Sequence, residues 1–132
     1  MKTVVASGKR KTAIAKAIIR EGKGVVRVNK QLLDVYTPEL AKLKIKEPII
    51  LIGDKLNSID IDINVSGGGV IGQADASRTA IARAIIQYFD DSTIKDMYKE
   101  YDRTLLVNDV RRKMPKLPMG RGARKKKQKS YR

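Results

Sequence analysis

Residues 58–89, SIDIDINVSGGGVIGQADASRTAIARAIIQYF, contain the clearest strand and the clearest helix of the chain. In residues 58–65, isoleucine and valine alternate with polar residues, which predicts a strand with one apolar face. From about residue 74 to residue 89, apolar residues recur at spacings of three and four, which predicts an amphipathic helix. The stretch therefore predicts a strand, a glycine-rich turn and a helix in direct succession.

Shorter elements are predicted on both sides of this stretch. Residues 24–29 and 104–107 are short strand candidates because they are rich in valine and leucine. Residues 91–101 predict a second helix, with Asp91 or Ser92 as its N-cap. Thr37-Pro38-Glu39 is a favourable helix start.

Two other segments are harder to assign. Pro48 is expected to begin another short helix, because proline is favoured in a first helical turn. Residues 12–22 are ambiguous, because their alanine content and their final glycine favour a helix, whereas the same residues can also alternate as a strand. Local pattern alone leaves both alternatives open for residues 12–22.

The positive charge of the chain is concentrated at its C-terminal end. There are 29 Lys and Arg against 14 Asp and Glu, a net charge of +15. Residues 111–132 hold 11 of the basic residues and no acid, whereas residues 1–110 have a net charge of +4. Proline and glycine also interrupt this end, which has no core of its own. We expect a folded body, 1–110, a basic extended tail, 111–132, and a polyanionic partner.

The residue types that are absent narrow the possible functions. The chain has no cysteine and no histidine, so it lacks thiolate metal ligands and the commonest general base. We expect a protein that is not an enzyme and that needs no cofactor or metal. No apolar run approaches the ~18 residues of a membrane span, so a soluble intracellular protein is expected. Six aromatic residues offer few rings for base stacking, so contacts to phosphates should dominate.

The glycine-rich turn matches two nucleotide-binding motifs incompletely. Residues 67–72 have the G-x-G-x-x-G spacing of a dinucleotide site, but Asp90 and Asp91 join two predicted helices instead of ending a parallel strand. A P-loop requires Lys followed by Ser or Thr, where this chain has Gln73 and Ala74. Both observations argue against a nucleotide site.

Two other interpretations of the turn are compatible with each other. The glycines can be required for unusual backbone angles. Their bare backbone can also let an RNA phosphate approach the helix start, with Arg78 and Arg83 nearby. Residues 8–12, GKRKT, are either an ordinary exposed turn or a phosphate contact made by Lys9, Arg10 and Lys11.

Two further clusters have a simple and a functional interpretation. Asp60 and Asp62 share a strand face and could hold Mg²⁺ or transfer protons, but a solvated sheet face explains them more simply. The tail could be a solubilising extension or a localisation signal instead of an RNA-binding segment. Its last twelve residues contain seven cations, namely Arg121, Arg124, Lys125, Lys126, Lys127, Lys129 and Arg132.

Several motifs resemble one known family, that of ribosomal protein nine of the small subunit. The segment GGGVIGQADASRTAIARAI is similar to the family signature, which the chain matches at Gly67, Gly68, Gly69, Gly72, Gln73, Ala76, Ala80, Ala82 and Arg83. GKRKTAIAKA resembles the N-terminal region, and YDRTLLVNDVRRK resembles the segment that leads into the tail. The final KSYR resembles the terminus of the archaeal and eukaryotic cytosolic branch.

The resemblance implies an α+β fold, with a mixed β-sheet and helices packed on one face, as in the second domain of another small-subunit ribosomal protein. It also implies that residues 12–20 form a strand. The implied role is that of a structural constituent of the subunit head in the cytoplasmic ribosome, beside other head proteins and without homo-oligomers. The first alternative is a free-standing RNA chaperone or non-specific nucleic-acid binder, and the second is a nucleotide-dependent enzyme.

The resemblance and the charge pattern together define the predicted site residues. Those expected to bind ribosomal RNA are Lys9, Arg10, Lys11, Gly67, Gly68, Gly69, Gln73, Arg78, Arg83, Arg103, Arg111, Arg112, Arg121, Arg124, Lys125, Lys126 and Lys127. The resemblance implies that the tail approaches transfer RNA in the peptidyl site through Lys129, Tyr131 and Arg132.

Overall fold

The structure, a computed structural model, describes residues 2–125 and residue 130. Five strands and three helices follow in the order β1 (Thr3–Arg10), β2 (Ala13–Glu21), β3 (Val26–Val28), β4 (Gln31–Leu32), α1 (Glu39–Ile52), β5 (Ile59–Ser66), α2 (Val70–Phe89) and α3 (Ser92–Tyr101). Short 3₁₀ turns occupy Leu33–Val35, Gly53–Ser58 and Arg103–Leu105.

The strands form one mixed sheet in the order β1-β2-β5-β3-β4. Only β3 and β5 are parallel, and the other neighbours are antiparallel. The isoleucines that alternate along β5 are buried, and the helices cover this apolar face of the sheet. The expected α+β architecture with a mixed sheet and helices on one face is confirmed.

The ambiguous segment 12–22 is a strand, as the family resemblance implied. β2 lies between β1 and β5, and Ala13, Ala15, Ala17 and Ile19 are fully buried on the helix-covered face. A helix would place these four side chains around a cylinder, whereas a strand places all of them on one face. The central position in the sheet therefore outweighs the helix propensity of alanine.

Close packing of α2 on β1 depends on small residues in both elements. A Cβ placed on Gly8 would overlap the carbonyl oxygen of Ala76 and lie 2.6 Å from the backbone nitrogen of Ala80. Ala76 and Ala80 are themselves fully buried. The alanine-rich face of α2 thus lets the helix backbone approach the strand closely.

Two local predictions were wrong. Pro48 does not begin a helix but lies inside α1, where its carbonyl oxygen accepts a hydrogen bond of 2.7 Å from the buried hydroxyl of Tyr98. Burial raises the pKa of Tyr98 well above its usual value.

Residues 104–107 are not a strand. The Asp102 side chain caps a 3₁₀ turn there by accepting a hydrogen bond from the Thr104 N–H, and Leu105 is buried.

The chain leaves the body beside the edge of the sheet. Arg10, the last residue of β1, forms an isolated parallel bridge with Asp109. From residue 110 to residue 125 there is no helix or strand. None of the helices in the part of the chain that the structure covers is long and apolar enough to cross a membrane.

Candidate nucleic-acid interface

Three predicted segments meet at one end of the molecule, which we call the basic end: the β1–β2 turn (Lys9–Thr12), the glycine turn (Gly67–Gly69) and the tail root (Asn108–Arg112). Antiparallel pairing brings the end of β5 beside the start of β2, and the Arg10–Asp109 bridge brings the tail root beside β1. The backbone N–H of Lys9 donates to Asn108 Oδ1 at 3.2 Å. The sheet thus unites segments that are far apart in sequence.

The first two glycines of the turn are required by the fold. Gly67 and Gly68 have φ values of 79° and 66°, in the left-handed region that favours glycine. A Cβ on Gly67 would overlap the carbonyl oxygen of Thr12, and a Cβ on Gly68 would lie 3.1 Å from that of Ala13. The structural interpretation of the turn is therefore correct for these two positions.

Packing in the described part of the chain does not require the third glycine. Gly69 is the N-cap of α2, with φ −92° and ψ 176°, and no atom lies within 4 Å of a Cβ built on it. The Gln73 side chain holds the turn by donating to the Gly67 carbonyl oxygen at 3.1 Å. An open depression of about 290 Å³ lies beside the turn, between Lys11 and the first turn of α2. An anion can reach the start of α2 there without a side chain at residue 69 in its way.

The cations of the β1–β2 turn differ in their surroundings. Arg10 forms an ion pair with Asp109 and lies 3.9 Å from Asp75. Lys9 and Lys11 are exposed, and neither side chain makes an ion pair with any residue that the structure describes. Of the three predicted phosphate-binding residues, Arg10 is thus largely neutralised, and the two lysines remain available.

Arg78 connects three parts of the fold. Its side chain is 11% exposed, and its guanidinium lies 2.6 Å from Glu47 of α1 and 3.0 Å from Asp102. A further hydrogen bond of 3.1 Å reaches the Thr104 hydroxyl. Burial alone would raise the pKa of Asp102, but hydrogen bonds from Thr104 and Arg78 lower it overall. The predicted contact of Arg78 with RNA stays a prediction. In the structure the guanidinium joins α1 to the segment that follows α3.

The remaining predicted arginines also divide into anchored and exposed groups. Arg83 donates to the Ser7 carbonyl oxygen at 3.0 Å, and Arg111 forks onto Asp109 at 2.7–3.1 Å. Hydrogen bonds from Arg111, together with the charge of Arg10, hold the pKa of Asp109 well below its usual value. Among the remaining predicted cations, those that are exposed and have no ion-pair partner among the described residues are Arg103, Arg112, Arg121, Arg124 and Lys125.

Some predictions fall on residues outside those that the structure describes. They are Lys126, Lys127, Lys129, Tyr131 and Arg132.

Sequence reasoning missed the acids of this end. Asp75, Asp102 and Asp109 each pair with an arginine that was expected to bind RNA. Asp102 and Asp109 cap the backbone two residues ahead, a spacing that the sequence contains. Their ion pairs with Arg78 and Arg10 have no comparable local signal, because these partners lie far apart along the chain.

Asp60 and Asp62 make contacts within the sheet and the loop that follows β2. Asp60 accepts the backbone N–H groups of Val25 and Lys23 at 3.0 and 2.9 Å, and these bonds lower its pKa. Asp62 lies near Arg20 and Arg27. Within residues 2–125, no group of three or more possible ligands could hold a metal ion.

A small α+β body with unpaired cations at one end and a basic extension is typical of proteins that bind nucleic acids through phosphates. Comparison with known proteins narrows this class. Residues 8–132 match the family described as Ribosomal protein S9/S16. The chain therefore belongs to this family.

The relatives cover nearly the whole chain. The small ribosomal subunit protein uS9 of Picrophilus torridus is 57% identical over 129 residues, which are 98% of this chain and 97% of the relative. The proteins of the same name from Thermoplasma volcanium and Methanothrix thermoacetophila are 53% and 52% identical over 132 residues, the full length of both chains in each comparison. These relatives are archaeal, which agrees with the archaeal and eukaryotic cytosolic branch that the terminus resembles.

Proposed function

We propose that this chain is a non-catalytic, structural constituent of the small ribosomal subunit in the cytoplasm and binds ribosomal RNA in the subunit head. Membership of the ribosomal protein family and the names of its full-length relatives support the ribosomal role. The observation that carries the RNA contact is the basic end, where the exposed Lys11 lines an open depression at the start of α2.

The geometry favours a particular subset of the predicted RNA contacts. Lys9 and Lys11 are exposed and make no ion pair with a described residue, and Lys11 and Gly69 line the open depression, whose lining also includes Asp75. Backbone N–H groups at a helix start and lysine ammonium groups both suit phosphate oxygens. Gly67, Gly68 and Gln73 shape this surface, while Arg10, Arg78 and Arg83 hold its elements together. We assign the phosphate contacts of the body to the first group.

The tail is proposed to continue the interface from the body toward transfer RNA in the peptidyl site. Its root is held against β1 by Asp109, so it leaves from the basic end and not from the far edge of the sheet. Residues 112–125 contain five basic residues besides Arg112 and no acid. Such a segment can run between phosphates without like-charge repulsion, and counterion release stabilises its binding.

The test of the tail separates charge from length. One variant lacks residues 129–132, and a second keeps the length but carries Lys129→Gln and Arg132→Gln. We expect both to enter small subunits normally and both to release peptidyl-site transfer RNA faster. Equal retention by wild-type and both variant subunits would remove the transfer-RNA role.

The test of the body compares two lysines. Lys11→Gln should reduce the slope of log Kd against log salt for small-subunit ribosomal RNA by about 0.7–0.9, the value for one phosphate contact. Lys99→Gln, on the exposed side of α3, should leave the slope unchanged. A free-standing RNA chaperone would instead be washed from small subunits by high salt, which co-sedimentation measures directly.

A further inference from the structure

Within residues 2–125, one face of the sheet carries no helix. Along β1, β2 and β5, every second side chain is buried beneath the helices, so the alternate side chains point to the opposite face. We call this opposite side the open face. Most of its side chains are exposed, including those of Ser7, Lys16 and Asn64.

The half of the open face far from the glycine turn is electrically balanced. Arg20 and Arg27 lie 3.8 and 3.5 Å from Asp62. Asp60 is occupied by two backbone N–H groups of the loop that follows β2. The cations of this half therefore have acidic partners within the fold.

The half next to the glycine turn has cations and no acid. Ser7, Lys16 and Asn64 pair across β1, β2 and β5 in one row, and Lys9 and Ser66 belong to the next row. Their side chains make no hydrogen bond or ion pair with other described residues, and all five are exposed. Lys9 and Lys16 are diagonal neighbours, about 7–8 Å apart between their Cα atoms.

These groups match the chemistry of an RNA backbone. Two ammonium groups can each contact a phosphate oxygen, and the hydroxyl and amide groups can donate to phosphate or exchange hydrogen bonds with a ribose 2′-OH. Ile14, which is 52% exposed, lies between Lys9 and Ser66 and offers an apolar contact for a sugar. A purely apolar protein partner would leave both lysines without a counter-charge.

The position of the surface also favours RNA. Lys9 is the first residue of the β1–β2 turn, and Ser66 is followed directly by the glycine turn. The two rows of residues that contain Lys16 and Lys9 therefore continue directly into the basic end. An RNA strand bound at the basic end can extend onto them.

We propose that Lys16, together with Ser7 and Asn64, forms an RNA-docking surface on the open face that continues the basic end around the edge of the molecule. The proposal rests on the ribosomal-RNA binding proposed above. It assigns a phosphate to Lys16 and a phosphate or 2′-OH contact to the neighbouring hydroxyl and amide groups.

The experiment uses two cations of the same strand that differ in pairing. Lys16 and Arg20 both lie on the open face of β2, but only Arg20 has an acidic neighbour among the described residues. Full-length wild-type protein, Lys16→Gln, Arg20→Gln, Lys11→Gln and Asn64→Ala are titrated with small-subunit ribosomal RNA at several salt concentrations. Thermal unfolding of each variant verifies that it is folded.

We expect Lys16→Gln to reduce the salt slope by about 0.7–0.9, which corresponds to a five- to eightfold weaker affinity at 0.1 M salt relative to 1 M. Arg20→Gln should weaken affinity less than Lys16→Gln, and Asn64→Ala should weaken it without changing the slope. An unchanged slope for Lys16→Gln with a reduced slope for Lys11→Gln overturns the open-face proposal alone. Unchanged slopes for both overturn RNA binding at the basic end as well. A loss that occurs only when other head proteins are present identifies a protein partner and also overturns the proposal.

Discussion

Replacing Gly67 by alanine tests whether the glycine turn is a structural requirement. The residue has φ 79°, and a Cβ there would overlap the Thr12 carbonyl oxygen and lie 3.3 Å from the Thr12 carbonyl carbon. The left-handed conformation costs a residue with a Cβ about 1–2 kcal/mol. Displacing a backbone oxygen in a packed turn costs about 1–3 kcal/mol more. Alanine also reduces the conformational entropy of the unfolded chain, which stabilises the folded state by about 0.4–1 kcal/mol.

The expected net loss for Gly67→Ala is about 2–4 kcal/mol in the free energy of unfolding, a large part of the ~5–15 kcal/mol typical of a domain. With an m value of about 2 kcal/mol/M in urea, the unfolding midpoint falls by about 1–2 M. Urea titration followed by circular dichroism of the full chain measures this directly.

Gly69→Ala is the matched control for this prediction. Its backbone is in the extended region and the space around it is open, so no steric cost arises. Alanine is a poorer N-cap than glycine by about 0.5–1 kcal/mol, and the gain from the unfolded state offsets most of this. We expect a nearly unchanged midpoint but weaker RNA binding, because the methyl group occupies the approach to the helix start. If Gly67→Ala and Gly69→Ala unfold at the same urea concentration, the steric reasoning is wrong.

Three further predictions concern stability. Gly8→Ala should lower the free energy of unfolding by about 3 kcal/mol or more, because α2 must move away from β1. If Gly8→Ala unfolded at the same urea concentration as the wild type, the close packing described for Ala80 would be wrong. Arg78→Ala should lower the free energy of unfolding by about 3 kcal/mol, because the carboxylates of Glu47 and Asp102 lose their buried partner. Lys99→Ala, which removes an exposed cation, is the control. The pH dependence follows from Asp60, Asp102 and Asp109, whose pKa values are lowered on folding. Their charged forms stabilise the fold above the ordinary pKa of 3.8, and this contribution is lost as the pH falls through their folded-state pKa values. The free energy of unfolding should therefore stay level between pH 5 and 7, where no histidine titrates, and fall below pH 4; a large change near pH 6 would contradict this.

Part of the candidate site could be predicted because its signals are local. Three adjacent cations at residues 9–11 and three glycines between a strand and a helix are visible without any knowledge of the fold. The difference between Gly67 and Gly69 is not visible in the sequence, because it depends on how closely the β1–β2 turn approaches each position. The ion pairs of Arg10 and Arg78 likewise depend on acids elsewhere in the chain.

The sequence by itself determined β5, α2, α3 and the charge division between body and tail, because periodicity, capping and net charge are properties of neighbouring residues. Tertiary structure decided that an alanine-rich segment is the central strand β2, that Pro48 remains inside a helix and that residues 103–105 form a turn. It also decided which cations are neutralised. Arg10 forms an ion pair with Asp109, whereas Lys16 forms none with any described residue. Burial and ion pairing join residues that are distant along the chain, so their outcome is fixed only when the sheet and helices have come together.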